Sequence, residues 1–227
     1  MLITIDGPAG SGKSTVARRI AQRLKLQYVD TGATYRAAAW LVLSMKLDVD
    51  NEAEVLLLAQ NMDYAPGPLL PDMTQRIWVN GTEVTAAIRT PAVAEMTSRM
   101  AVYPAVRRVL VDVQRSLALL NSRGAVLEGR DTGTVVFPDA DVKIFLVASA
   151  QERARRRTLE MAATGAAIDE SLVLSQMQRR DERDATRSAS PLVAAPDTHI
   201  VETDGKGIED VVNDILAKLP VGAVVPA

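Results

Sequence analysis

Cysteine is absent from the 227-residue sequence, which rules out disulfides, thiolate nucleophiles and cysteine-ligated zinc together. Aromatic residues make up only 4% of the chain, and Trp40, Trp78 and the eight methionines are read as packing residues rather than stacking platforms. The single histidine, His199, falls in the last expected strand after Pro196-Asp197 and is not expected to be catalytic. No run of about 20 uncharged apolar residues occurs, so no membrane contact is expected. The first motif starts at residue 7, which leaves no room for a cleaved leader, and the expected location is the cytoplasm. Lysine is scarce as well: of 26 basic residues only Lys13, Lys25, Lys46, Lys143, Lys206 and Lys218 are lysines. A formal charge of −2 argues against a general nucleic-acid-binding surface. The excess of arginine has two explanations, composition of the genome or habitat, and the planar, bidentate fit of guanidinium to phosphate. Position along the chain has to decide between them.

With 48% apolar and 24% charged residues, the chain has the make-up of an ordinary globular enzyme that buries its core without staples. Its organising stretch is Gly7-Pro8-Ala9-Gly10-Ser11-Gly12-Lys13-Ser14, directly after the apolar run Leu2-Ile3-Thr4-Ile5. Glycine, four residues of any kind and Gly-Lys-Ser form a phosphate loop. Glycines let backbone N–H groups converge on a phosphate, and a helix opening near Lys13 adds its positive dipole end. Lys13 reaches the outer phosphates and the Ser14 hydroxyl holds Mg²⁺. Gly7 through Thr15 is therefore the candidate ATP site, with Ser14 as the candidate metal ligand. Asp6 either helps to organise the magnesium shell or only caps the loop.

Five short apolar strands alternate with helices: 2–6, 27–29, 125–128, 142–147 and 198–202. That alternation predicts an α/β fold, a five-stranded parallel sheet flanked by helices. Helices are expected at 13–25, 34–46, 51–61, 91–102, 105–121, from 150 with a turn near Gly165, and at 208–219. Asp50 or Asn51 would cap the third, and Thr90-Pro91 opens the fourth. Residues 63–88 break the alternation. Ala65-Pro66-Gly67-Pro68 reads as a break, and Gln75–Val79, Asn80-Gly81 and Thr82–Thr85 as a hairpin. Ligands in such folds lie beyond the carboxyl ends of the strands, and Gly7–Ser14, Asp30–Gly32 and Gly129–Asp131 all follow strands.

A triphosphate site alone fits a switch, a motor or a transferase. The Asn-Lys-x-Asp string of a guanine-nucleotide switch is missing. A transferase needs a second substrate in line with the γ-phosphate and cations to neutralise the transferring group. Arg36 and Arg130 lie just past the second and third strands, facing one crevice, although either could instead pair with Asp30 or Asp131. On a helix, Arg180, Asp184 and Arg187 share one face, Arg183 lies on the same side, and Arg153 and Arg157 form another i, i+4 pair. Interleaved Asp181, Glu182 and Asp184 fit a solvated, salt-bridged helix. Placement after the fourth strand fits a flap that closes over the phosphates and excludes water.

Four stretches together resemble bacterial cytidylate kinase: Gly7–Ser14, Asp30-Thr31-Gly32-Ala33-Thr34-Tyr35-Arg36, Gly129-Arg130-Asp131-Thr132-Gly133-Thr134-Val135-Val136-Phe137-Pro138, and Arg180-Asp181-Glu182-Arg183-Asp184-Ala185-Thr186-Arg187. The resemblance covers the chain up to about Leu219. It implies phosphoryl transfer from ATP to CMP or dCMP with Mg²⁺, by a monomer acting on free nucleotides. It further implies a core (1–62, 89–150 and 190–220), a monophosphate-binding insertion (63–88), an arginine-rich lid (151–189) and a loose tail (221–227). By the same likeness Arg36, Arg130 and Arg180 hold the acceptor phosphate. Ser98, Arg107, Asp131 and Arg187 read cytosine, Asp184 lies near the sugar, and Thr31 belongs to the CMP site. Lys13, Arg130, Arg153, Arg157, Arg180 and Arg183 would meet the transferring phosphates. Two positions depart from the family pattern, Glu128 in place of aspartate and Thr31 in place of serine, each keeping its functional group.

Overall fold

The computed structural model describes residues 1–162, 169–186 and 190–220. Its first part runs β1 (Leu2–Asp6), α1 (Lys13–Leu24), β2 (Gln27–Asp30), α2 (Thr31–Ser44) and α3 (Glu52–Gln60). The strands β3 (Tyr64–Leu69), β4 (Gln75–Val79) and β5 (Thr82–Glu83) follow, then α4 (Pro91–Met100) and α5 (Pro104–Ala118). Last come β6 (Ala125–Gly129), β7 (Val142–Val147), α6 (Ala150–Ala162), α7 (Glu170–Thr186), β8 (His199–Glu202) and α8 (Ile208–Leu216).

The main sheet is parallel with order β2-β6-β1-β7-β8, the architecture that the strand–helix alternation predicts. From β1 the chain leaves for one edge, returns between, then crosses to the other side. Register sets Asp6 beside Gly129 and Phe145, and Asp30 beside Glu128. The loops after β1, β2 and β6 therefore open along one edge, at the switch in strand order where such sheets bind ligands.

Both faces of the sheet are covered, which is why its strands read as near-continuous apolar runs. One face packs on Val16, Ile20 and Leu24 of α1 and Val211, Val212 and Ile215 of α8. The other packs on Val111 and Leu117 of α5 with Val136. Ile3, Ile5, Ile20 and Ile144 are 0–1% exposed, and truncating any one to alanine costs about 2–5 kcal/mol. That packing makes the strand ends a rigid base for the loops above them. Helices α2 to α5 form a separate core with Ile77 and Val79 of β4 in the antiparallel β3-β4-β5 sheet, and with Val84 and Ile88 just after it. Among the described residues no helix is long and apolar enough to cross a membrane.

Two differences from the sequence reading have a visible cause. Helix α2 starts at Thr31 rather than Thr34, because the Asp30 carboxylate accepts the Ala33 amide at 2.8 Å and caps it. Strand β3 runs through Pro66-Gly67-Pro68, read above as a break. It is an edge strand, where a missing N–H costs no ladder bond, and its pairing with β4 slips between Pro66 and Leu69. Thr90 caps α4 as expected, and Asn51 rather than Asp50 caps α3. Gly165 and residues 221–227 lie outside the described residues.

Candidate active site

Helix α1 begins at Lys13 with Gly12 as its N-cap, at φ +91° and without a side-chain cap. A side chain at Gly12 would find room, its nearest neighbour being Arg156 Nη1 at 3.8 Å. Glycine is needed there for the left-handed backbone, not for space. No acidic residue occupies the first turn of α1. Its unbonded amides and dipole are thus left to an external anion. The Lys13 ammonium is buried and donates to Pro8 O at 2.7 Å and Ser11 Oγ at 3.5 Å. Burial, reinforced by the nearby Arg130, pushes Lys13 down to about 7. Ser14 Oγ donates to Glu128 Oε1 at 2.7 Å, so a hydroxyl from the first turn of α1 and a carboxylate near the end of β6 meet beside the loop.

Across the edge stand the arginines that follow β2 and β6. Arg36 donates to Asp30 Oδ2 at 2.7 Å, while its buried Nε has no partner. Arg130 pairs with Asp184 of α7 at 3.0 Å, not with the adjacent Asp131. Arg180 makes no hydrogen bond to a described residue. Burial, then Arg130, and also Arg36, lower its basicity to about 10. These cations crowd one another at the mouth of the phosphate loop.

The base-reading candidates fall into two groups. Arg107 and Asp131 are 5% and 6% exposed and bonded at 2.5 Å. Arg107 also reaches Ala101 O at 3.1 Å and Ser190 Oγ at 3.2 Å, and lies 5.2 Å from the centre of the Tyr35 ring. Ser98 and Asp184 line a cavity of about 230 Å³ with Ala101, Val102, Arg183 and Thr186. Thr31 is turned into the fold, its hydroxyl donating to Glu128 O at 2.7 Å. A Cβ at Gly129 would sit 2.4 Å from that hydroxyl oxygen, so the close approach of β6 to α2 requires glycine. Arg187 lies outside the described residues.

The lid candidates separate by burial. Arg153 is 7% exposed and bonds Asp181 Oδ2 at 2.5 Å, Ala9 O at 3.0 Å and Ala148 O at 3.1 Å. Arg157 and Arg183 are exposed in ion pairs with Glu160 and Glu95.

A family model described as cytidylate kinase matches residues 3–220. The chain belongs to the cytidylate kinase family. A cytidylate kinase of Desulfitobacterium hafniense is 44% identical over 95% of this chain and 90% of its own length. Another, from Pseudomonas aeruginosa, is 44% identical over 95% and 93%. A bifunctional pantoate ligase/cytidylate kinase of a Synechococcus strain is 47% identical over 89% of this chain, which spans 37% of that larger protein. Among solved structures, an uncharacterized protein from Eubacterium ventriosum has the same fold, with a TM-score of 0.53 at 12% identity and 96% coverage of both chains.

For a cytidylate kinase family member, Tyr28 and Arg156 lie outside the motif stretches, and Asp181 lies inside one without a role read from it. Tyr28 sends its hydroxyl to Glu128 Oε1 at 3.4 Å, the oxygen that Ser14 also uses. Arg156 bonds Glu152 and both Thr203 oxygens beside Gly12, binding α6 to the loop after β8. Asp181, read as part of a solvated face, reaches the phosphate loop. The helical spacing of arginines and carboxylates was the available signal, but it gives a face and not the loop that face meets. The sequence left Asp6 with two readings. Its carboxylate accepts from Thr132 N, Thr132 Oγ1 and Gly133 N at 2.8–2.9 Å, so it holds the segment after β6 rather than the phosphate loop. Burial raises its pKa despite those bonds.

Proposed function

We propose that the chain transfers the γ-phosphate of ATP to CMP or dCMP, working as a monomer in the cytoplasm. Arg180 carries this reading: a guanidinium with no hydrogen bond to a described residue, its basicity lowered by burial and then by Arg130 despite the nearby Asp184 and Asp181, calls for an anion beyond the one the phosphate loop would take. Two phosphate sites facing each other are what in-line transfer requires. An oxygen of the CMP phosphate attacks the γ-phosphorus, the bond to the β–γ bridging oxygen breaks, and ADP leaves with that electron pair. No covalent enzyme intermediate is needed. Lys13 and the amides of α1 hold the donor, Arg36, Arg130 and Arg180 hold the acceptor, and both sets stabilise the charge that spreads over the transferring group.

The Ser14 hydroxyl and Glu128 carboxylate, 2.7 Å apart beside the loop, fit Mg²⁺, a hard cation that takes oxygen ligands and retains several waters. Bound there, the ion would neutralise charge between the β- and γ-phosphates. Tyr28 holds Glu128 from behind.

The direct test is ADP release, coupled to a reporter, across nucleoside monophosphates. CMP and dCMP are expected to give the highest kcat/KM. A profile led by another monophosphate, or nucleotide binding without any acceptor-stimulated ADP release, would overturn the assignment.

A proton count tests Lys13 independently. With a pKa of about 7, Lys13 is mostly neutral at pH 8 in the free protein. Polyphosphate favours the ammonium, so binding should take up close to one proton at pH 8. Calorimetry in buffers of different ionisation enthalpy measures this, and Lys13→Met should abolish it. Equal uptake in both proteins would mean that another group titrates.

A further inference from the structure

Helix α7 meets both halves of the site with neighbouring stripes. Met177 and Asp181, one turn apart, face the phosphate loop. Met177 packs with Ala154 and Val173 beside Ala9, and a Cβ at Gly10 would lie 2.8 Å from its methyl group. Asp181 uses both carboxylate oxygens: Oδ1 accepts the Ala9 amide at 3.4 Å, and Oδ2 accepts Arg153 Nη1 at 2.5 Å. The same Nη1 donates to Ala9 O at 3.0 Å, so Ala9, Asp181 and Arg153 close a ring. Arg180 and Asp184, also one turn apart, form the adjoining stripe on the acceptor side of the cleft. Asp184 holds Arg130 and lines the cavity with Ser98, and Arg180 lies among the acceptor-side arginines. These four positions fall within about 100° of the helix circumference, so one rigid segment presents both stripes.

We propose that Asp181 is a positioning residue that latches α7 to the phosphate loop and so couples occupancy of the donor site to that of the acceptor site. The proposal rests on the reading of the chain as a CMP kinase. Donor nucleotide orders the loop, and with it both polar atoms of Ala9. The ring through Asp181 and Arg153 then fixes α7, which places Arg180 and Asp184 before the acceptor arrives. The acceptor no longer bears the cost of ordering that helix and binds more tightly. Linkage makes the effect reciprocal. An ion pair with a purely structural role would shift acceptor affinity equally with and without donor.

Calorimetric titration of CMP into the full chain, with and without saturating Mg²⁺ and a non-transferable β,γ-methylene ATP analogue, separates the two. In the wild type the analogue should tighten CMP by at least about fivefold. Asp181→Asn should cut that gain below about twofold while CMP affinity without the analogue stays within about twofold of wild type. Asp181→Glu should recover part of the gain. Glu95→Gln, which breaks only the exposed contact of α7 with α4 at Arg183, should retain all of it. An Asp181→Asn protein with the wild-type gain, or one that loses CMP affinity equally in both arms, overturns the latch. A wild type that binds CMP with no gain overturns the coupling alone. One that binds no CMP in either arm overturns the kinase reading together with it.

Discussion

Replacing Lys13 with methionine is expected to lower kcat by about 10³-fold or more while the protein melts at or above the wild-type temperature. The catalytic half follows from where the ammonium stands. It is the first residue of α1, 5% exposed, at a helix end with no acidic residue in its own first turn. Charge that builds on the transferring phosphoryl group is stabilised most by cations already fixed in a water-poor site, and losing one of them costs roughly 10²–10⁵ in rate. The stability half follows from the same burial. Burial that pushes Lys13 down to about 7 makes the folded chain bear the cost of desolvating or deprotonating an ammonium, and methionine of similar length removes that cost. Pro8 O does not lose its bonding, since Ser11 still donates to it through Oγ at 3.0 Å and N at 3.4 Å. Single-turnover kinetics and a thermal melt on the same preparation give both numbers. A kcat within tenfold of wild type would remove Lys13 from the transfer step. A melt lowered by many degrees would mean that the ammonium holds the loop together.

The phosphate loop was legible because its chemistry is local. Gly12 must have positive φ, Lys13 must start the helix, and both requirements act within a few residues. The five parallel strands were legible for a related reason, burial on both faces leaving short apolar runs between amphipathic helices. Failures of reading came where a side chain or an edge overrode local preference. Asp30 draws α2 back by three residues through one bond to Ala33 N. Pro66 and Pro68 sit in a strand because that strand has a partner on only one side. In the candidate site the sequence brought forward arginines that chemistry wants, but the spacing could not sort them. Arg153 and Arg157 share a helical face at i, i+4, yet Arg153 is buried against Ala9 while Arg157 pairs with Glu160 at the surface. The choice of Asp184 rather than Asp131 for Arg130 spans 54 residues. It depends on how α7 docks, which no local pattern encodes.

Asp131→Ala should be the most destabilising of the site substitutions, and its isostere should change selectivity instead. Arg107 and Asp131 are both nearly inaccessible and bonded at 2.5 Å. Without the carboxylate, the partners that the guanidinium keeps among the described residues are neutral: Ala101 O, Ser190 Oγ and the Tyr35 ring. An uncompensated buried charge costs about 3–5 kcal/mol. For a chain of this size each kcal/mol moves the midpoint by about 2–4 °C, so the melt should fall by roughly 10 °C. Replacing both residues with leucine should recover much of the loss, because the desolvation of two charges goes with the pair. Asp131→Asn keeps the shape and a hydrogen bond to Arg107, so its melt should fall less. A carboxylate only accepts, which suits the amino group of cytosine and repels the carbonyl oxygen of uracil. An amide both donates and accepts. With Asp131 in its proposed role at the base, the asparagine variant should narrow the CMP-over-UMP ratio of kcat/KM by at least about tenfold, the worth of one bond of this kind. An asparagine variant that melts lower but discriminates as the wild type does would leave the pair a structural one and move base reading elsewhere in the cleft.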